Sequence, residues 1–213
     1  MKLDTGFRPS SHGYGFPNMW KDTLLGVVTS RGRCGGMVFG ALDHFTAGVA
    51  LPPDARMRTL PAYDSALALH IWRRQVDSVV AGGGTNMVRF VALTYLPTSV
   101  RHGVALVTRQ ELLPLFDLLR SGRPAPLGLV SAVGLTQLAR NHQVLAYAAT
   151  FGSEVVRISV YDPNHPLRDD VVIDVPLEVA QPVVERIGSR VKVWRGLFVE
   201  HYRPARVRHS VVV

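Results

Sequence analysis

The sequence contains a single cysteine, and this scarcity limits what the protein can be. Cys34 is the only thiol among 213 residues, so an intramolecular disulfide and a cysteine-rich zinc site are both excluded. Apolar residues make up 47% of the chain and charged residues 19%, which is enough to bury a core and excludes global disorder. The question that remains is whether Cys34 fills that core or reacts.

Signals for export and membrane insertion are also lacking. No apolar run follows Lys2, and no stretch approaches the roughly 18 apolar residues that span a bilayer. We therefore expect a cytoplasmic protein without a membrane span, in a compartment where a thiol stays reduced. We expect no cofactor and no metal, because Asp169 and Asp170 match no calcium loop and the glycines at 82–84 lack the lysine of a P-loop.

Acidic residues are scarce near the C-terminus. The formal net charge is +8, and between Arg186 and His209 seven basic residues accompany a single acidic one, Glu200. This stretch predicts either a surface for an acidic partner or a solvated strand pair with a frayed end. Nucleic acid is the less favoured partner, because no helix-turn-helix, RNA-binding aromatic motif or metal finger accompanies the charge.

The chain divides into four segments of one predicted domain, 1–213. Residues 1–33 are predicted to be irregular, 34–122 mainly helical, 123–200 mainly β, and 201–213 a basic tail. Helices followed by consecutive strands are typical of an α+β fold, with N-terminal helices packed on a mostly antiparallel sheet.

Individual elements follow from apolar spacing. Helical spacing predicts helices over 34–48 and 62–80, and Thr108 with Glu111 forms a candidate capping box for a helix that runs to Gly122. Strands are predicted at 87–96, 103–107, 126–131, 143–149, 155–161, 170–175 and 190–200.

Cys34 stands where a glycine-rich loop meets the first long helix. First-turn amides and the helix dipole favour a thiolate there, and Arg31 and Arg33 add positive charge. Gly35 and Gly36 cost about 1 kcal/mol each relative to Ala in a helix, and we expect them to leave room for a substrate backbone. The alternative is a buried cysteine that only packs.

A nucleophilic thiol needs a base, and one of the eight histidines is well placed. His44 lies about 15 Å along the same helix and is too distant. His142 opens one predicted strand and Asp162 closes the next, so a hairpin would bring them to one edge. Asp162 could then accept the imidazole N–H and fix its tautomer. The alternative reading of Asp162 is a turn that ends a strand.

These motifs together resemble the papain-like cysteine peptidase superfamily, in which Cys, His and Asn or Asp follow in this chain order. The variant with Asp in third place looks like the leader-cleaving peptidases of bacteriocin exporters. A group of bacterial papain-fold proteins is similar over most of residues 6–175. The segments that carry this likeness are His12–Asn18, Cys34–Met37, Ala41–Phe45, Pro126–Val130, Asn141–Tyr147 and Ile158–Asp170.

The resemblance implies a papain-like fold and a hydrolase that cleaves peptide or amide bonds through an acyl-enzyme. Cys34 would be the nucleophile, His142 the general base and acid, and Asp162 the orienting group, with Asn164 as the alternative third member. Acyl transfer and deamidation would use the same groups. A catalytically degenerate binding module is the remaining alternative.

The sequence departs from the family pattern at the oxyanion donor. Papain-type enzymes place a Gln several residues before the Cys, whereas this chain has valines at 27 and 28 and then Thr29. We expect the Cys34 backbone amide to serve, helped by Asn18, Thr29 or Ser30. The missing Gln is the reason that the binding module stays open.

Overall fold

The computed structural model describes residues 1–24, 28–98 and 102–207, with the backbone alone for 23–24 and 28–31. The described residues have an α+β fold in which helices pack on an antiparallel sheet. The helices are α1 (Pro9–His12), α2 (Cys34–Ala47), α3 (Ala66–Val80), α4 (Thr85–Tyr95), α5 (Val104–Gln110) and α6 (Leu112–Arg120), with short 3-10 turns at Pro53–Arg56 and Leu135–Arg140.

The strands come mostly from the second half of the chain. They are β1 (Lys2–Asp4), β2 (Lys21–Leu24), β3 (Val28–Arg31), β4 (Ala125–Val130), β5 (His142–Phe151), β6 (Val155–Tyr161), β7 (Val171–Pro176), β8 (Val183–Ile187), β9 (Arg190–Trp194) and β10 (Gly196–Val199). None of the described helices is long and apolar enough to cross a membrane.

The main sheet has the order β10-β4-β5-β6-β7-β8-β9, and β1 pairs with the end of β5. All of its pairs are antiparallel. β9 and β10 lie at opposite edges although only Arg195 separates them in sequence. The sheet must therefore curl until its edges approach, and the Arg195 amide donates to the Val130 carbonyl at 2.9 Å.

Alternation along β5 gives the sheet a core on each face. Val144 and Ala146 join an aliphatic cluster that includes residues of α6, whereas Leu145 and Tyr147 join an aromatic cluster that includes residues of α2 and α3. Successive side chains of a strand point to opposite faces, so one strand can contribute to both cores. β5 thereby fixes the position of the helical half relative to the sheet.

Two predicted strands, 87–96 and 103–107, are wrong, because the structure has α4 and α5 there. The valines and aromatics of these segments suit strands, but the inward positions of α4 follow a helical period. Asn86 and Leu93 are buried seven residues apart, with half-buried Phe90 between them. Packing on the core decided the structure against local β propensity.

The predicted capping box is also wrong. Thr108 lies inside α5, where its hydroxyl donates to the Val104 carbonyl and accepts from the Leu197 amide at 3.0 Å. Glu111 accepts from the Val199 amide at 2.9 Å. Both side chains therefore tie helices to β10, and no side chain caps α6.

The predicted helices α2 and α3 and the strands β4 to β7 are present, but the segment boundaries needed correction. The predicted strand 190–200 is two strands, β9 and β10, and β8 was not predicted. Residues 1–33 are not wholly irregular, since β1, α1, β2 and β3 lie there. In the basic tail, Tyr202 and Ala205 lie against α2, where Tyr202 Oη donates to Asp43 Oδ1 at 2.6 Å and the Ala205 amide donates to the same oxygen at 3.0 Å.

Candidate active site

Cys34 is the first residue of α2, and its side chain is half-buried. The chain enters the helix through Gly32, whose φ of 109° is one that only glycine adopts readily. A Cβ at Gly32 would lie 2.2 Å from Asn18 Nδ2. Asn18 Oδ1 accepts from the Arg33 amide at 2.5 Å. Asn18 therefore fixes the point at which the helix begins and the thiol is presented.

Gly35 and Gly36 do not leave room for a substrate, so that expectation is wrong. A Cβ at Gly35 would lie 2.1 Å from Gln143 Oε1 and 2.2 Å from Ser78 Oγ, and one at Gly36 would lie 2.0 Å from the Ile71 carbonyl oxygen. The two glycines let α2 approach α3 and β5 closely. Their place in the sequence reflects packing beneath the thiol.

The positive charge of Arg33 is compensated by the carboxylate of Asp22, which weakens its effect on the thiol. Its guanidinium donates twice to Asp22 at 2.8 Å and lies 5.1 Å from the Trp20 ring centre, with Tyr63 and Trp72 also against it. The expected contribution of Arg33 to a thiolate is therefore reduced. The side chain of Arg31 lies outside the described residues.

The structure brings His142 and Asp162 together at one edge of the β5–β6 hairpin. His142 Nε2 lies 2.6 Å from Asp162 Oδ1, and both side chains are buried. The Asn164 amide also donates to Asp162 Oδ1 at 2.8 Å. Since Asp162 holds Nε2, the other ring nitrogen, Nδ1, is the one left to serve the Cys34 thiol.

The pair is charged because each member stabilises the other. Burial by itself lowers the pKa of His142, but Asp162 and Cys34 outweigh it and raise that pKa from 6.5 to about 10. Burial would raise the pKa of Asp162, but His142 and the Asn164 amide hold it below 3.8. Near neutral pH the site therefore favours an imidazolium beside a carboxylate.

Asn18 and Asn164, both predicted from sequence, meet beside this pair. Asn164 Nδ2 lies 3.1 Å from His142 Nε2, and Asn164 Oδ1 lies 3.4 Å from Asn18 Nδ2. An Nε2–H that donates to Asp162 cannot also accept from Asn164, so Asp162 is the hydrogen-bond partner of this nitrogen. Thr29 and Ser30 belong to β3, and their side chains lie outside the described residues.

Trp194 covers the histidine. Its ring stacks on His142 with centres 6.2 Å apart and planes 12° apart, and its Nε1–H donates to Glu185 at 2.9 Å. Lys192 Nζ lies 3.8 Å from the Trp194 ring centre. Burial, with the nearby Asp162 charge, raises the pKa of Glu185. Trp194 therefore shields the charged pair from water on this side.

Gln143 and Glu200 form a second polar pair beneath the thiol, which sequence reasoning missed. The Cys34 thiol faces Gln143 Oε1 at 3.9 Å, and Ser78 Oγ, which donates to the Gln75 carbonyl at 2.8 Å, lies 3.4 Å from the same oxygen. Gln143 Nε2 lies 2.9 Å from each oxygen of Glu200. Burial raises the pKa of Glu200 from 4.5 to about 8. Only the position of Gln143 next to His142 could have drawn attention to it.

The basic residues near the C-terminus are partly used within the fold. Arg186 donates to Asp174 at 3.0 Å, and Arg195 donates to backbone carbonyls that include Ala132 and Leu96. The remaining described cations of this stretch are exposed and could face a partner; they are Arg190, Lys192, Arg203 and Arg206. Arg208 and His209 lie outside the described residues.

The described residues offer no metal centre, since no group of three His, Cys, Asp or Glu side chains is arranged to hold an ion. The candidate chemistry of the site therefore lies with Cys34, His142 and Asp162, and with the two pairs around them. Comparison with protein-family models, with curated proteins and with solved structures finds no match to this chain.

Proposed function

We propose that the protein is a papain-like cysteine hydrolase that cleaves peptide or amide bonds. Cys34 acts as the nucleophile, His142 as general base and acid, and Asp162 as the group that orients the imidazole. One observation carries the proposal: a buried imidazole is held by Asp162 at 2.6 Å through Nε2, and Cys34 lies close enough to raise the pKa of that imidazole. A thiol paired with an oriented imidazole is the arrangement that activates cysteine nucleophiles.

The proposed reaction uses these three side chains in two steps. The Cys34 thiolate attacks the substrate carbonyl, and His142 gives its proton to the leaving amine as the carbon–nitrogen bond breaks. His142 then removes a proton from water, which attacks the thioester; the carbon–sulfur bond breaks, the carboxylic acid leaves, and the thiolate of Cys34 is restored beside the imidazolium. Asp162 keeps the imidazole in one tautomer and stabilises its cationic form throughout.

The start of α2 supports the developing oxyanion. The Gly36 amide donates to Gln75 at 3.0 Å and the Arg33 amide to Asn18, so the Cys34 amide is the donor beside the sulfur. The Asn18 carboxamide lies next to this amide, and its contact with Asn164 is a long one at 3.4 Å. Asn18 is therefore our candidate for the part that Gln plays in papain-type enzymes.

The arrangement of the elements supports the family proposal. The candidate nucleophile begins a helix of the helical half, while the imidazole and carboxylate come from neighbouring antiparallel strands. This matches the expected papain-like division into a helical side and a sheet side. A thiol nucleophile also suits a reducing compartment such as the cytoplasm.

The first test is the reactivity of Cys34 toward iodoacetamide at pH 6. We expect alkylation of the native protein far faster than that of an ordinary thiol, because the imidazolium stabilises the thiolate. His142→Ala should slow it by about tenfold or more, whereas His44→Ala is the matched control and should leave the rate unchanged. An unmodified Cys34 in native protein, or equal rates in the His142→Ala variant and wild type, would refute the enzyme proposal.

The second test is turnover of a fluorogenic peptide library, with an acyl-enzyme trapped by acid quench and detected by mass spectrometry. The proposal predicts an adduct on Cys34 and none in Cys34→Ser. Transfer of the acyl group to an added amine instead of water would change the class to acyl transfer. A reactive Cys34 that forms no adduct with any peptide or amide would favour the non-catalytic binding module.

A further inference from the structure

The Gln143 carboxamide lies between the candidate nucleophile and a fully buried acid. Its nitrogen points to Glu200, 2.9 Å from both carboxyl oxygens, and its oxygen points to the Cys34 sulfur at 3.9 Å. The opposite orientation would place the amide oxygen against a carboxylate, which repels it. The ionised form of Glu200 therefore dictates which end of Gln143 the sulfur meets.

Each orientation favours a different form of the thiol. An amide oxygen accepts a hydrogen bond from an S–H group but repels a thiolate, whereas an amide N–H stabilises a thiolate. A protonated Glu200 can donate its O–H to Gln143 Oε1, and the amide nitrogen then faces the sulfur. The proton on Glu200 and the charge on Cys34 are thus linked through one side chain.

We infer that Glu200, acting through the carboxamide of Gln143, controls how much of Cys34 is present as the thiolate. This inference rests on the proposed function, in which Cys34 is the nucleophile. Glu200 is then a positioning residue, since Gln143 separates it from the reacting atoms. Protonated Glu200 supports the reactive thiolate, and ionised Glu200 holds Cys34 as the neutral thiol.

The surroundings of Glu200 place its pKa close to neutral pH. Burial raises its pKa to about 8, while Gln143, Arg89 and His142 act in the opposite direction. The Arg89 charge is shared with Glu111, whose carboxylate lies 2.6 Å away. Glu200 is therefore mostly protonated near neutral pH and ionises in mild alkali.

The contacts around Gln143 and Glu200 hold this pair in place. Gln143 and Glu200 are both buried, and Ser78 Oγ lies 3.4 Å from the Gln143 oxygen. A Cβ at Gly35 would lie 2.1 Å from that oxygen. The absence of a side chain at Gly35 lets the carboxamide reach the space under Cys34.

The test compares the alkylation rate of Cys34 in wild type and Glu200→Gln at pH 6 and pH 9. The neutral amide of the variant mimics protonated Glu200 at every pH. We expect equal rates at pH 6 and about tenfold faster alkylation of the variant at pH 9, because a tenfold difference there means that ionised Glu200 leaves only about a tenth of wild-type Cys34 as the thiolate. Thiolate absorbance in the ultraviolet should change in parallel. Equal rates at both pH values would overturn the inference.

A double-mutant cycle separates transmission through the amide from a direct effect of charge. In a Gln143→Met background, which keeps the length of the side chain but removes the carboxamide, Glu200→Gln should leave the pH 9 rate unchanged. An undiminished tenfold effect in that background would overturn the role of Gln143. Glu154→Gln is the control, because it removes an exposed carboxylate from the turn between β5 and β6, outside the contacts of Gln143 and Arg89, and it should leave the ratio near one.

If Gln143→Met fails to fold, the same coupling can be measured from the titration of Glu200. Carbon-13 NMR of the Glu200 carboxyl should give a lower apparent pKa in Cys34→Ala than in wild type, because linkage is reciprocal and the thiolate no longer favours the protonated acid. An unchanged titration would overturn the inference. A Cys34 that is unreactive in every variant would instead refute the proposed function, so the two failures are distinguishable.

Discussion

Asp162 and Glu200 are two buried carboxyl groups near the candidate nucleophile, and their pKa values are shifted in opposite directions. Their exposed fractions are 2% and 4%, yet the pKa of Asp162 is lowered and that of Glu200 is raised to about 8. Burial penalises both charges, but Asp162 is hydrogen-bonded directly to a cation, the His142 ring, and to a backbone amide, whereas the hydrogen-bond partner of the Glu200 carboxyl group is the neutral amide of Gln143. The partner, and not the depth of burial, decides which form persists.

This difference gives the two carboxyl groups different roles in the proposed mechanism. Asp162 remains ionised and keeps His142 cationic, so the thiolate always has a counterion. Glu200 faces the neutral amide of Gln143 and can change its protonation near the working pH. In this mechanism, the fixed charge of Asp162 and the adjustable charge of Glu200 together set the ionisation of Cys34.

The largest expected effect comes from removing the fixed charge. Asp162→Asn should lower peptide hydrolysis by about 10³–10⁴-fold, because the imidazole loses its orientation and its counterion. The pKa of His142 should fall by about 1–3 units, measurable by nitrogen-15 NMR of the ring. A variant with unchanged turnover, or an unchanged histidine titration, would remove the distinction between the two carboxyl groups.

The next largest effect is on stability, and its pH dependence has opposite signs for Glu200 and Asp162. The raised pKa of Glu200 means that its contribution to stability is fully present below pH 4.5 and is lost as the pH rises through about 8. Glu200→Gln should therefore gain about 2–4 kcal/mol in unfolding free energy relative to wild type between pH 5 and pH 9. Urea unfolding at both pH values measures the difference.

Asp162 supplies the matched comparison for that experiment. Its lowered pKa means that its contribution is present above pH 3.8 and is lost as the pH falls through the native value. Asp162→Asn should therefore be less stable than wild type at pH 7, and the two should converge in acid. If both variants changed with pH in the same direction, the contrast drawn from their partners would be wrong.

The smallest effect is expected at Trp194, whose ring lies over His142. Trp194→Phe keeps a ring over His142 but removes the N–H that donates to Glu185 at 2.9 Å. We expect a loss of about 1–3 kcal/mol in stability, since a buried acceptor loses its partner, and a change in Cys34 alkylation of less than about threefold. A much larger loss of reactivity would mean that the indole holds the imidazole in place.

The sequence placed Cys34, His142 and Asp162 because their relation depends on local geometry and chain order. A helix start and a hairpin edge can be recognised from capping glycines and strand boundaries. It misassigned 87–96 and 103–107, because valines and aromatics suit a strand as well as a helix and only packing on the core decided between them. The prediction for Gly35 and Gly36 was also wrong, because the close contacts that require these glycines are made by α3 and β5, which are distant in sequence.

The Gln143–Glu200 pair could not be predicted. Glu200 follows β10, which reaches the site only because the sheet curls until its two edges approach. Along the sequence it was simply one acidic residue within a basic stretch. Trp194 likewise reaches His142 through the strand order β5-β6-β7-β8-β9, which no local pattern reveals.

The sequence by itself determined the single thiol, its position at a helix start, the histidine and acid that follow it, and the α+β class. These features depend on local spacing and turn chemistry, which a linear chain records. The tertiary structure alone decided what surrounds the thiol: close-packed glycines, a compensated arginine, and a buried acid beneath an amide. Burial and partners set these properties, and both arise only when distant segments pack together.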